Sequence, residues 1–214
     1  MYPIDLHGER LVLHPFRAAF WERAGTLLLA DLHLGKARHF RRAGIPVPQG
    51  VADATWDRLL SLLIDFQPRR VLFLGDLFHS DYNCEWEELG DLTAQFEGVR
   101  FELVRGNHDI LAGADYERVG IRLHRAELME GPFLFSHYPL AEVPGGFYNL
   151  AGHIHPAVRL RGPARQRAKL PCFYFGKAQA LLPAFGQFTG TQVVAPRAGD
   201  QVYVIVEEEV VRVG

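Results

Sequence analysis

Long apolar runs are missing from this chain. Nowhere do the ~18 consecutive apolar residues of a membrane span occur, so no bilayer-crossing helix is expected. Cysteine is scarce: the 214 residues hold two, Cys84 and Cys172, far apart and outside any CxxC pattern. That argues against a disulfide framework and fits a reducing compartment. Charge of neither sign dominates, since 23 Lys and Arg against 25 Asp and Glu leave a net charge of −2. No global basic field singles out nucleic acid as a partner, and none excludes it. The opening residues Met1-Tyr2-Pro3-Ile4-Asp5 lack the charged-then-apolar layout of a secretion signal. There is no internal repeat, low-complexity tract or linker-like stretch. These absences lead us to expect one soluble, cytoplasmic domain over residues 1–214.

What is present is a soluble globular composition, 48% hydrophobic and 22% charged. Short apolar runs recur: Thr26 to Ala30, Val71 to Leu74, Phe101 to Val104, Phe133 to Phe135 and Tyr148 to Ala151. Runs this short, cut off by glycine and polar residues, suit strands buried on both faces. Arg10 to His14 and Ala18 to Glu22 suggest an antiparallel start, and the tail from Pro171 suggests further strands, Val202 to Val206 and Val210 to Val213 among them. Helical spacing links Ala52, Trp56, Leu59, Leu60, Leu63 and Ile64, with Pro68 closing the segment. A second, more acidic helix is expected over Glu85 to Phe96, with Trp86, Leu89, Leu92 and Phe96 on one stripe. The order β-α-β-α-β, then mostly strands, predicts an α/β fold with two sheets between helical layers.

Each apolar run stops at a polar motif: Asp31-Leu32-His33, Gly75-Asp76, Gly106-Asn107-His108-Asp109, Ser136-His137 and Gly152-His153-Ile154-His155. Taken singly these are weak, because a lone Asp-x-His is most often a solvated loop and Gly-Asp a turn. Five of them at strand ends, where open α/β sheets bind ligands, are far harder to assign to chance. Asp31, His33, Asp76, Asn107, His137, His153 and His155 supply about the number of donors that two adjacent divalent cations need while sites stay open for water and substrate. Asp76 has two oxygens with which to bridge two metals. Asp109 is placed either to orient His108 or to satisfy nearby backbone donors. Mixed nitrogen and oxygen donors suit Mn, Fe, Zn, Co or Mg rather than Ca.

In this order the motifs resemble the calcineurin-like metallophosphoesterases, over Asp31 to His155. The resemblance implies a four-layer sandwich, two mixed β-sheets flanked by helices. It implies that Asp31, His33, Asp76 and His155 hold one metal and Asp76, Asn107, His137 and His153 the other. His108 would lie outside both shells and serve the leaving oxygen, with Asp109 grouped beside it as catalytic. A metal-activated hydroxide would attack phosphorus, and manganese is the metal that nuclease members suggest. Many members carry an acidic residue or Asp-Arg-Gly after Gly-Asp, whereas this chain reads Gly75-Asp76-Leu77-Phe78-His79-Ser80. That departure argues against a phosphoprotein phosphatase and leaves His79 as support for a metal ligand or a plain surface residue.

Asp31-Leu32-His33-Leu34-Gly35-Lys36, the stretch His39 to Pro48, and Leu182-Pro183-Ala184-Phe185-Gly186 are similar to a bacterial subgroup of ligase-associated DNA damage response endonucleases. That likeness implies a DNA substrate, a repair role, and association with a DNA ligase and a helicase-like protein. Two basic clusters accompany it: Lys36, Arg38, Arg41 and Arg42 after the first motif, then Arg159, Arg161, Arg165, Arg167 and Lys169 after the last. Lys36, Arg38, Arg41, Arg161 and Arg165 are the expected substrate contacts, and a solvated basic face is the plain alternative. The leading expectation is a DNA endonuclease. A small-molecule phosphodiesterase or phosphomonoesterase using the same site, or a metal-bound scaffold, are the alternatives.

Overall fold

A computed structural model of the chain describes residues 1–36, 51–78, 84–161, 167–187 and 189–213, with the backbone alone at 51–53, 84 and 161. Two mixed sheets face each other. The first holds seven strands in sequence order: β1 (Tyr2–Leu6), β2 (Glu9–His14), β3 (Ala18–Trp21), β4 (Thr26–Leu29), β5 (Arg70–Leu74), β6 (Arg100–Val104) and β7 (Ile121–His124). Pairing is antiparallel from β1 to β4 and parallel from β4 to β7. The second sheet comprises β8 (Leu128–Glu130), β9 (Phe133–Ser136), β10 (Tyr148–Ala151), β11 (Pro156–Arg161), β12 (Arg167–Phe175), β13 (Gln179–Leu181), β14 (Gln192–Val193), β15 (Gln201–Val206) and β16 (Glu209–Val213). Its order is β14-β11-β12-β13-β10-β9-β8, with β15 on β12 and β16 on β15.

The continuous apolar runs follow from double-sided burial. On β5, Leu72 and Leu74 point into the core between the sheets, against Phe133, Phe135 and Leu150, while Val71 and Phe73 point the other way. There they meet three helices, α1 (Val51–Phe66), α2 (Cys84–Gln95) and α3 (Gly113–Arg118), through Leu59, Leu62, Leu63, Trp86, Leu89 and Tyr116. The expected stripe on α1 is displaced: Leu62 joins Leu59 and Leu63 inside, whereas Leu60 and Ile64 face solvent at 40% and 58% exposure. The outer face of the second sheet carries a smaller strand-borne cluster of Val158, Cys172, Val202 and Val204, in which Cys172 is a free thiol. Among the described residues no helix is long and apolar enough to cross a membrane.

The parallel pairings fix where the chemistry lies. Strands β4, β5, β6, β9 and β10 all end at one rim, and the five polar motifs begin there. Backbone bonds knit the rim together. The amides of Asp31 and His33 donate to the carbonyls of Gly75 and Asp76, and Gly152 donates to His137.

Candidate metal centre

Residues far apart in the chain converge at this rim in two triads. Asp31, His33 and His155 form one and Asp76, His137 and His153 the other, each with its donor atoms within 4.8 Å of one another. Asp31, Asp76 and His137 are 0%, 2% and 2% exposed, too dry for an uncompensated cluster of acceptors.

Among the described residues the second triad lacks a positive partner at its centre. His137 Nδ1 lies 3.0 Å from the Leu74 carbonyl, which only accepts, so this nitrogen carries the proton. In the neutral ring Nε2 is then a bare lone pair. It faces Asn107 Oδ1 at 3.1 Å, His153 Nδ1 at 3.1 Å and Asp76 Oδ1 at 3.5 Å. Asn107 Oδ1, Asp76 Oδ1 and His137 Nε2 are acceptors aimed at one another, which repel unless something positive sits between them, and a divalent cation fits. Asn107 thereby joins the second triad. In the first triad His155 Nδ1 is held by the Gly190 carbonyl at 2.9 Å, which turns Nε2 toward Asp31 Oδ1 at 3.4 Å. Among the described residues that buried carboxylate oxygen has no hydrogen-bond partner closer than this one long contact. The triads are coupled, since Asp76 Oδ2 stands 3.7 Å from His33 Nε2 while its Oδ1 faces His137.

The ring shifts agree with this picture. Burial lowers the His155 pKa, but the Asp31 carboxylate and the Gly190 carbonyl outweigh it and the net shift is upward. Burial and the neighbouring His137 lower the His153 pKa against the pull of Asp31 and Asp76.

The backbone is held in unusual conformations at the same place. Asp31, His33, Asp76, His153 and His155 have φ of +53°, +49°, +50°, +66° and +50°, left-handed values that cost of order 1 kcal/mol or more each outside glycine. Gly75, at φ +81°, also admits no side chain, because a Cβ there would sit 2.1 Å from His137 Nδ1. Asp109 supports these turns. Its carboxylate accepts from the amides of Asp76 (2.8 Å), Leu77 (3.0 Å) and Gly106 (2.8 Å) and is 1% exposed. Of the two placements expected of Asp109, satisfying nearby backbone donors is the one seen, and through it Asp109 positions two motifs. Burial, partly offset by the Gly106 amide, pushes its pKa up to about 6.

His108 lies on the rim outside both triads, its amide bonded to Asp76 Oδ1 at 3.0 Å and its ring 5.4 Å from that of His33. Lys36 is half-buried beside the centre; burial lowers its pKa while Asp76 and Asp31 raise it. Arg38, Arg41, Arg42, His79, Arg165 and the side chain of Arg161 lie outside the described residues.

Two further contacts at the centre come from outside the five polar motifs. Tyr138, 46% exposed, donates from its hydroxyl to Asn107 Oδ1 at 2.9 Å and lies 4.5 Å ring to ring from His153. The segment 182–186 straps the first triad from behind: Leu182 donates to Ala151, Phe185 to Ala30 and Gly186 to Asp31. A Cβ on Gly186 would stand 2.3 Å from the Leu32 carbonyl oxygen, and Arg17 fixes the strap through the carbonyls of Ala184 (3.0 Å) and Gly186 (3.3 Å). Only the Leu182-Pro183-Ala184-Phe185-Gly186 pattern hints at it.

A family model described as calcineurin-like phosphoesterase matches residues 26–173. Among solved structures, the crystal structure of Pseudomonas putida nuclease MPE is similar at 31% identity over 99% of both chains, with a TM-score of 0.84. Yfce, a phosphoesterase from E. coli, shares 13% identity over 88% of this chain and 97% of its own, with a TM-score of 0.44. No curated protein matches the chain.

Proposed function

The chain belongs to the calcineurin-like phosphoesterase family and is a metal-dependent phosphoesterase, and from that premise we propose that it is a dinuclear, manganese-dependent DNA endonuclease acting in repair. The observation that carries the reading is the pair of buried triads whose acceptors face one another around Asp76, with His108 left outside both. The nuclease end of the reading is supported by the relative from Pseudomonas putida, a protein described as a nuclease and alike over its whole length.

Asp31, His33 and His155 would hold one cation, Asn107, His137 and His153 the other, and Asp76 would reach both. Bound there, two divalent cations would lower the pKa of a water between them and draw charge off the phosphoryl oxygens. The nitrogen and oxygen donors, with no thiolate among them, favour manganese over softer-site metals. The chain's own part is positional. The Leu74 and Gly190 carbonyls fix which nitrogen of His137 and His155 points inward, as outer partners of metal-binding histidines do. His108 would touch the scissile phosphate and pass a proton to the leaving oxygen. Lys36 adds a fixed positive charge beside the phosphoryl oxygens. A DNA ligase and a helicase-like protein are the proposed partners in repair.

The test is cleavage of labelled single-stranded DNA and nicked duplex by purified protein with Mn, Fe, Zn, Co or Mg. Cleavage is expected with Mn. His108→Ala should lower the rate by about 10²–10⁴ while two equivalents of metal still bind. Hydrolysis of bis-p-nitrophenyl phosphate with every nucleic acid left intact would move the assignment to a small-molecule phosphodiesterase.

A further inference from the structure

The hairpin formed by β11 and β12 departs from the rest of the second sheet. Phe175 and Tyr174 of β12 pair with Ala180 and Leu181, the last residues of β13, which runs parallel to β10 and ends at the same rim. Because β12 is antiparallel to β13, its earlier residues, Arg167 to Pro171, continue past the rim. There they pair with β11, which starts at Pro156 directly after His155. Six residues of β11 make an arm about 17 Å long standing beside the metal centre.

The register of this arm sets like charges against each other. Arg159 is directly opposite Lys169, and Arg161 is opposite Arg167. Directly opposite residues of an antiparallel pair share a face, and like charges so placed are destabilising. Arg159, Arg167 and Lys169 are exposed, and among the described residues none of them has a carboxylate partner. The other face is satisfied: Val158 is buried in the apolar cluster with Cys172, Val202 and Val204. The arm is thus anchored by one face and leaves the charges of the other unbalanced.

A short chain of contacts ties those charges to the metal centre. Lys169 Nζ donates to the Thr191 carbonyl at 2.7 Å, and the preceding Gly190 carbonyl receives Nδ1 of His155 at 2.9 Å. The amide of Gln192 bonds the His155 carbonyl. Successive same-face residues along the strand are about 6.6 Å apart, close to the spacing of phosphates along an extended nucleic-acid strand.

We infer that the β11–β12 arm is a phosphate-tracking surface. It holds the nucleic-acid strand that leaves the metal centre on the His155 side, through Arg159, Lys169 and Arg167. The inference rests on the nucleic-acid reading of the centre and adds the direction in which the strand lies. Arg159 and Lys169, opposed in the free protein, are neutralised by the phosphates of the bound strand.

Binding, not cutting, tests it. The probe is a fluorescent single-stranded oligonucleotide of about 20 nucleotides, titrated between about 50 and 200 mM salt on full-length His108→Ala protein without metal. Adding Arg159→Gln, Arg167→Gln and Lys169→Gln should weaken binding at least ~10-fold at the lowest salt. The salt slope should flatten by about 2, near 0.7 for each phosphate no longer neutralised. The melting temperature should hold or rise as the repulsion is removed. A control triple, Arg10→Gln, Arg69→Gln and Arg100→Gln, changes net charge equally at the opposite end of the first sheet and should move the slope by less than about 0.5. Unchanged affinity and slope in the arm triple overturns the inference, as does equal weakening by both triples or no binding by the parent. Binding that depends on the arm, together with wild-type protein that cuts no DNA, would overturn the nuclease reading instead.

Discussion

Two polar clusters occupy opposite ends of the first sheet's parallel strands, and they are built on opposite terms. At the start of β5 and β6, Arg70 meets Glu130 at 2.6 Å and Glu102 at 3.9 Å and donates to Thr26 Oγ1 at 3.2 Å. His124 Nε2 lies 2.7 Å from Glu102, and Arg100 approaches the same carboxylate at 3.8 Å. Cations and anions are balanced there by the chain itself. At the finish of the same strands, Asp31, Asp76, Asn107 and four histidines face one another, and among the described residues the ammonium of Lys36 is a positive charge that acts on both carboxylates. Left-handed backbone conformations gather at that end as well. A balanced cluster explains itself as structure. The other, unbalanced among the described residues, buried and strained, is what a bound cation would complete.

The largest expected effect breaks the unbalanced end. Asp76→Asn should lower phosphodiesterase turnover by about 10³-fold or more, since one carboxylate serves both triads. The same change removes charge from a crowd of acceptors, so the melting temperature in chelator should equal or exceed that of wild type. The rise in melting temperature on adding metal should shrink or vanish. A variant that melts earlier in chelator would show that Asp76 is chiefly structural.

The balanced end should answer the other way. Arg70→Met takes from Glu130 its close partner and leaves Glu102 with His124 and Arg100, and should cost about 1–3 kcal/mol in denaturant unfolding. Metal affinity of the folded variant should be unchanged. A drop in metal affinity would join the two clusters into one system and dissolve the contrast between them.

The two clusters are not equally legible in the sequence. The rim can be read because each ligand type has a distinct chemistry and each stands where an apolar run stops, as at Leu74-Gly75-Asp76. The strands behind it can be read for the same reason. Arg70, Glu102 and Glu130 carry no such mark, because a charge inside an apolar run shows its partner only once the strands are paired. The stripe expected on α1 is one position off because Leu60 and Ile64 satisfy helical spacing equally well, and only the sheet beneath decides which face is covered. The strap at 182–186 depends on bonds to Ala30 and Asp31, about 150 positions earlier, which no local pattern encodes. The β11–β12 arm does alternate, Val158-Arg159-Leu160-Arg161, yet the Gly162-Pro163 that follows suggests a loop instead.

Within the rim, the ring shifts predict a difference between the triads. His155 has its pKa raised above 6.5 in the metal-free protein, so its protonated form adds stability that is fully present below pH 6.5. That contribution is lost as pH rises through the folded-state value. A cation at the first triad must displace the same proton, so its affinity should climb by up to ~10-fold per pH unit across this window. His153 is shifted downward and gives up no proton at neutral pH, so loading of the second triad should vary less. Calorimetric titrations at several pH values resolve the two sites. Equal pH slopes at both would remove the distinction.

The smallest effect belongs to Tyr138, which tests whether the second triad ends at its ligands. Its hydroxyl donates to Asn107 Oδ1, the oxygen that also faces His137. An amide oxygen has two lone pairs, so one can be held by Tyr138 while the other is offered to a cation. Tyr138→Phe keeps the ring beside His153 and removes only that restraint, leaving the Asn107 amide free to turn. Outer-partner losses of this kind weaken metal binding by about 10–100-fold, and a half-exposed hydroxyl belongs at the low end of that range. The expected result is a second cation bound several-fold more weakly, with the first unaffected. Restoration of turnover at high metal concentration would place the defect in occupancy. A loss that excess metal does not repair would instead put the Tyr138 hydroxyl in contact with the substrate.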